Sequence, residues 1–278
     1  MKSKRINRSA VRALVTGVCL FLCGLPAGAV FDAAVSPPRY ELAGKPGEVL
    51  RQVLYVSNGG AEPARYTVKT ADWQLGTYGV VSYLEGPPQT DSCRSWVRIE
   101  RREISVEPRG TRAFRFEVHI PKDAKAGECR FAFLISSQAG TTVKPGTQNL
   151  SVPIVGRLGV VAYLAIGDAK PDLRFAEASF KKIEGKTVPT VTFYNQGTAH
   201  GRVFGVLEGK DATGKKVELV VEDGAVLPKV RRSLRLMPVD FSTGEGRAPT
   251  FELTPPMHVR GKLEPRGSER IEIDQVIR

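Results

Sequence analysis

The sequence predicts an all-β protein built as two sandwich domains. Apolar residues recur with a period of two along most of the chain after residue 30. Clusters of Gly, Pro, Asn and Asp interrupt them at intervals of about 8–12 residues. No segment keeps a helical period over a useful length. Residues 30–278 suffice for two domains of ordinary size.

The first 29 residues read as a secretory signal peptide. Lys2, Lys4, Arg5, Arg8 and Arg12 form a positive head without an acidic residue, an apolar stretch runs from Ala13 to Leu25, and Ala27-Gly28-Ala29 follows Pro26 as a cleavage pattern. The apolar stretch falls short of the roughly 20 residues a membrane-crossing helix needs. The expected mature protein is therefore exported and carries no integral membrane segment. The 41 basic residues fall to 36 when these five leave, against 29 acidic ones, a net of +7. Those charges are interspersed, which reads as a solvated basic surface rather than a polyanion track. Basic-aromatic motifs for nucleic acid are absent.

Four cysteines occur, and Cys19 and Cys23 lie within the signal. The remaining pair, Cys93 and Cys129, is too far apart for a redox C-x-x-C motif and too small a set for a thiolate metal site. In an oxidising compartment it is expected to form one disulfide. Trp96, three residues after Cys93, is expected to pack on the bridge, as in many sandwich cores.

Residues 49–57 alternate and end at Asn58-Gly59-Gly60, a turn signal. The clearest strand covers 113–120. Phe114, Phe116, Val118 and Ile120 take one face; Arg115, Glu117 and His119 take the other. Phe131, Phe133 and Ile135 repeat the pattern, and apolar segments follow at 150–157 and 159–166. Residues 167–172 (GDAKPD) carry turn residues without periodicity, so the boundary is placed there: an N-terminal domain at 30–167 and a C-terminal sandwich at 168–278. Alternation resumes at 188–194, 203–208, 217–221, 232–237 and 270–277, with a hairpin loop at 211–214.

No catalytic frame is present: there is no G-x-S-x-G, P-loop, H-E-x-x-H or dinucleotide fingerprint. His119, His200 and His258 lack a second ligand at metal spacing and read as surface residues. No cofactor, metal or enzymatic role is expected.

The N-terminal half resembles the periplasmic pilus chaperones of the PapD-like family. The segment AVSPPRY at 34–40 looks like their first strand, and VLYVSN at 53–58 like their second. Trp73 stands where many members carry a Trp, and IPKD at 120–123 looks like their Pro-x-Asp turn. The resemblance covers about 31–167 and implies two immunoglobulin-like domains. It further implies that residues 159–164, extended by 150–155, complete a client subunit as an added strand. Val161 and Tyr163 would then point one way and Val160, Ala162 and Leu164 the other. The family anchors its client's terminal carboxylate with an Arg on the first strand and a Lys on the last; here Arg39 and Arg157 stand in. Arg39 lies two residues from the expected place, nearest to which is Glu41, and a shift of two preserves the strand face. The implied partners are subunits of a pilus or surface assembly and an outer-membrane usher. A weaker likeness, through AGECR at 126–130 and NQG at 195–197, is to WxL-interacting cell-surface proteins. That likeness implies the alternative of a non-catalytic scaffold bound to surface proteins or cell wall.

Overall fold

The computed structural model describes residues 32–76, 78–138, 141–143, 152–154, 156–239 and 253–278. The expected signal peptide and residues 150, 151 and 155 lie outside the described residues. Among those described the chain is strand and turn, with a single 3-10 turn at Arg94–Trp96. The short strands Thr141–Val143 and Val152–Ile154 form a separate antiparallel pair. Everything else belongs to one compact unit.

The strands are β1 (Ala33–Ser36), β2 (Arg39–Gly44), β3 (Val49–Asn58), β4 (Ala64–Leu75), β5 (Val81–Leu84), β6 (Val97–Ile99), β7 (Glu103–Val106), β8 (Thr111–His119), β9 (Gly127–Ser137), β10 (Thr141–Val143), β11 (Val152–Ile154) and β12 (Arg157–Ile166). They are followed by β13 (Leu173–Ile183), β14 (Lys186–Asn195), β15 (Val203–Lys210), β16 (Lys216–Val221), β17 (Arg231–Val239), β18 (Met257–Pro265) and β19 (Ile271–Ile277).

Two sheets make the first sandwich. One has the order β1-β3-β8-β6; the other has β2-β12-β9-β4-β5, with β7 also on β4. Phe114, Phe116 and Val118 of β8 are buried, as their alternation predicts, and meet Phe131, Phe133 and Ile135 of β9. The Phe116 and Phe133 rings lie edge to face with centroids 4.6 Å apart, a favoured aromatic geometry. In β9 the run from Phe131 to Ile135 is buried on both faces. Ala132 belongs to a second apolar cluster with Trp73, Tyr163, Ala225 and Leu227, which lies between the two halves of the chain. A strand covered on both sides loses the polar half of its alternation.

The initial strand changes sheets. β1 pairs antiparallel with β3, and after Pro37-Pro38 β2 pairs parallel with β12, Arg39 opposite Val161 through Gly44 opposite Ile166. The Cys93–Cys129 disulfide is formed, with Cα atoms 5.5 Å apart. It ties the turn before β6 to the start of β9, and Trp96 packs against the same core.

β12 ends at Ile166 and β13 begins at Leu173. The last seven strands form one antiparallel path, β13-β14-β17-β16-β15-β18-β19. That path rolls over a single core containing Phe193, Leu207, Leu219, Leu234 and Leu263. Its two ends touch where Phe180 N–H donates to the Arg278 carbonyl at 3.0 Å.

One asparagine closes a strand in each half by the same device. Asn58 accepts from Gly60 N–H at 3.0 Å and donates to the Glu62 carbonyl at 2.8 Å. Asn195, fully buried, accepts from Gly197 N–H at 2.9 Å and donates to the carbonyls of Ala199 and Val226 at 2.8 and 2.9 Å. Asn suits this place because its amide mimics a backbone turn while still offering two donors.

Candidate functional site

Two neighbouring features compete as the site: the outer edge of β12, and the charged junction between the halves.

β12 pairs with β9 along its whole length, Arg157 opposite Ser136 through Ile166 opposite Gly127. Its other side is covered by β2 only from Val161 onward. Among the described residues no strand pairs with the outer side of residues 157–160. Leu158 is half-buried against the core and Val160 is fully buried. Gly159 has no room for a side chain: a Cβ there would collide with the Tyr83 hydroxyl. Tyr83 sits on β5, across the intervening β9 and β4. The phenol hydroxyl therefore reaches Gly159 at the level of the open edge.

Two of the expected client-contacting residues are not at an open surface. β2 covers the backbone of Val161 and Tyr163. Tyr163 is 4% exposed; its ring stacks on His200 at 3.9 Å and meets Trp73 edge to face at 5.1 Å. Val161 packs against the same cluster. Strand alternation does hold, since Val160, Ala162 and Leu164 point into the first core. The face opposite that core is taken by the second half of the chain.

Arg39 and Arg157 are not brought to one spot. Arg39 stands opposite Val161, four residues along β12 from Arg157, a separation of roughly 13 Å at the rise of a strand. Each already has an acidic partner. Arg157 donates to Glu85 at 2.7 Å and to the Ser136 hydroxyl at 3.2 Å. Arg39 donates to Asp223 at 2.9 Å and to Glu41 at 3.1 Å.

Glu41, two residues past Arg39, is the hub of the junction. Its Oε1 accepts from Arg202 at 2.8 Å and its Oε2 from Arg266 at 3.0 Å, both from the second half. Arg202 also donates to Asp223 at 2.7 Å. Burial pulls the carboxyl pKa of Glu41 upward, but Arg202, His200 and Arg39 outweigh it and hold it below the ordinary range. Asp223 behaves alike: burial raises it, and Arg202 and Arg39 bring it down.

Beside this hub, Glu128 has a fully buried side chain. Its Oε2 accepts from the His200 main-chain N–H at 2.8 Å and faces His200 Nδ1 at 2.5 Å. Glu128 Oε1 and Arg130 Nε are buried without a hydrogen-bond partner. Arg130 pairs with Asp91, and its guanidinium lies over Trp73, 5.4 Å from the ring centroid. Burial lowers the pKa of Arg130 and that of Arg232, which donates to the Ala225 carbonyl at 2.5 Å.

Sequence reasoning missed Glu41, Glu128, His200, Arg202 and Asp223. His200 reads as a surface histidine, yet it is mostly buried and stacked. Its carboxylate partners lie 72 and more residues away, so no local spacing marks it. His119 and His258 are exposed as expected, against Glu117 at 2.8 Å and Asp274 at 2.6 Å.

The junction fixes one half against the other and offers no aligned nucleophile and base. Among the described residues no group of three His, Cys, Asp or Glu is arranged to hold a metal ion, and no helix is long and apolar enough to cross a membrane.

No family model matches the chain, and no curated protein matches it. Solved structures do. The CupB2 chaperone of Pseudomonas aeruginosa is 14% identical, with a TM-score of 0.44 over 88% of this chain and 100% of that one. The class 5 fimbriae chaperone CfaA is 12% identical, with a TM-score of 0.44 over 89% and 99%. The SafB chaperone structure, in complex with the SafA pilin of Salmonella enterica, is 12% identical, with a TM-score of 0.46 over 89% and 97%. At these identities the roles of residues rest on this chain's own geometry.

Proposed function

We propose that this protein is a non-catalytic, chaperone-like protein of the periplasm. It captures a subunit of a pilus or other surface assembly by adding a strand at the edge of β12. The observation that carries the reading is that, among the described residues, no strand pairs with the outer side of residues 157–160, while the continuation of β12 is paired on both sides. Such an edge presents unpaired main-chain groups, and an extended segment can bond to them. A client lacking one strand of its own sandwich would gain those bonds and cover its exposed core. The site is thus shorter than the resemblance implies and lies ahead of Val161. The junction would hold the edge still while a client docks, since a rigid edge loses less freedom on binding.

The test is site-specific photo-crosslinking in a periplasmic extract. A photoreactive residue replacing Arg157 should yield an adduct with one small β-rich protein, and the same probe at exposed Tyr55 should not. Equal labelling at both places, or none at Arg157, overturns the reading. Salt-sensitive pelleting with purified cell wall, without an adduct, would favour a wall-bound scaffold instead.

A further inference from the structure

A groove lies next to the open edge of β12, on the far side of the Arg157–Glu85 ion pair. This groove, of about 390 Å³, is lined by Lys69 and Thr70 of β4, Glu85, Arg94, Val97 and Ile99 of β6, and Arg102. It opens where, among the described residues, no strand pairs with the outer side of β4. β7 pairs with β4 as far as Thr67, and β5 pairs with it from Asp72 onward. Between them Val68 N–H donates outward to the Arg102 carbonyl at 2.8 Å. Main-chain direction alternates along a strand, so Thr70, two residues on, aims its N–H and C=O at the same side. That side is the groove.

The charges are unbalanced. Three cations face one carboxylate, and that carboxylate is spoken for: Glu85 accepts from Arg157 at 2.7 Å and lies 4.0 Å from Lys69. Arg94 is held in place by the Gly86 carbonyl at 3.1 Å, with Asp72 at 4.0 Å. Arg102 is exposed, and among the described residues its guanidinium has no hydrogen bond or ion pair. The wall is apolar where Val97 and Ile99 contribute. Cations beside an apolar wall and an outward-facing strand backbone suit an extended peptide that alternates acidic and apolar residues. A free phosphate would use the cations only.

The geometry points to this groove as a docking site for an extended acidic peptide segment, held by Arg102 and Lys69 with the main chain of Thr70. It borders the β12 edge through the Glu85–Arg157 pair but uses other residues, and it stands whether or not strand addition holds.

The test uses the full chain and a fluorescent alternating valine–aspartate hexapeptide, read by anisotropy. Binding should weaken about fivefold in Arg102→Ala and about thirtyfold in the Lys69→Ala/Arg102→Ala double variant, in line with loss of partly exposed charge contacts. Both side chains are exposed, so far-UV circular dichroism should remain native. Glu85→Gln should tighten binding several-fold, an effect that general loosening of the fold would not produce. Three results would overturn the proposal: unchanged binding in the double variant, equal binding of the valine–asparagine peptide, or displacement by equimolar inorganic phosphate. Crosslinking at Arg157 should be unaffected by Arg102→Ala, which keeps the two sites' failures apart.

Discussion

Glu128 and His200 meet through a single carboxylate oxygen, which faces both the main-chain nitrogen and Nδ1 of the histidine. The contact joins β9 of the first sandwich to the loop before β15.

Replacing the histidine should be costly. His200→Ala removes the stacking on Tyr163 and leaves a buried carboxylate with only a main-chain donor. The expected loss is about 2 kcal/mol, the scale for taking one hydrogen-bond partner from a buried polar group. Chemical denaturation would read it, and an unchanged midpoint would refute it. Glu128→Gln, which keeps an acceptor for the main-chain N–H, should cost less.

The junction should be sensitive to acid. Glu41 and Asp223 have folded-state pKa values below their unfolded ones. Their stabilisation is therefore complete above the ordinary carboxylate range, about pH 4, and drains away as pH falls through the folded values. Glu41→Gln should be less stable than the parent at pH 7, and the gap should narrow below about pH 4. A gap independent of pH would contradict this.

The disulfide closes a loop with a sequence separation of 36, worth about 4 kcal/mol on the chain-entropy model. The Cys93→Ala/Cys129→Ala double variant should lose stability on that scale, measured by thermal unfolding. A loss below about 1 kcal/mol would mean that the core alone orders the turn before β6.

Gly159 and Tyr83 form a pair testable by a double-mutant cycle. Gly159→Ala should destabilise by about 1–3 kcal/mol through overpacking against the phenol. Tyr83→Ala in the same chain should recover much of that loss, giving a coupling energy of opposite sign. Additive effects would mean the ring moves aside freely.

Half-buried strands were legible in the sequence because one face stays polar. Phe114, Phe116 and Val118 are buried as their spacing says, and Asp211 organises its hairpin loop by accepting from Thr213 and Lys215 N–H at 2.9 Å. Strands with broken alternation were not legible. β13 carries a bulge between Phe175 and Glu177, which inverts the facing midway. β18 alternates Met257, Val259 and Leu263 inward, but Gly261 and the flanking prolines hide the pattern. The cysteine pair could be inferred from compartment and count. The junction could not, because Glu41 draws its cations from Arg39, Arg202 and Arg266, and long-range charge pairing leaves no period to read.

The passage of the first strand from one sheet to the other has a consequence for size. Pro37-Pro38 is where the chain stops serving β3 and starts shielding β12. The crossing point is therefore a ruler. Every residue by which it moves toward the C-terminus uncovers one more residue of β12, and every residue the other way hides one, so in the proposed strand addition the length of edge left for a partner is set by the position of two adjacent prolines near the front of the described chain.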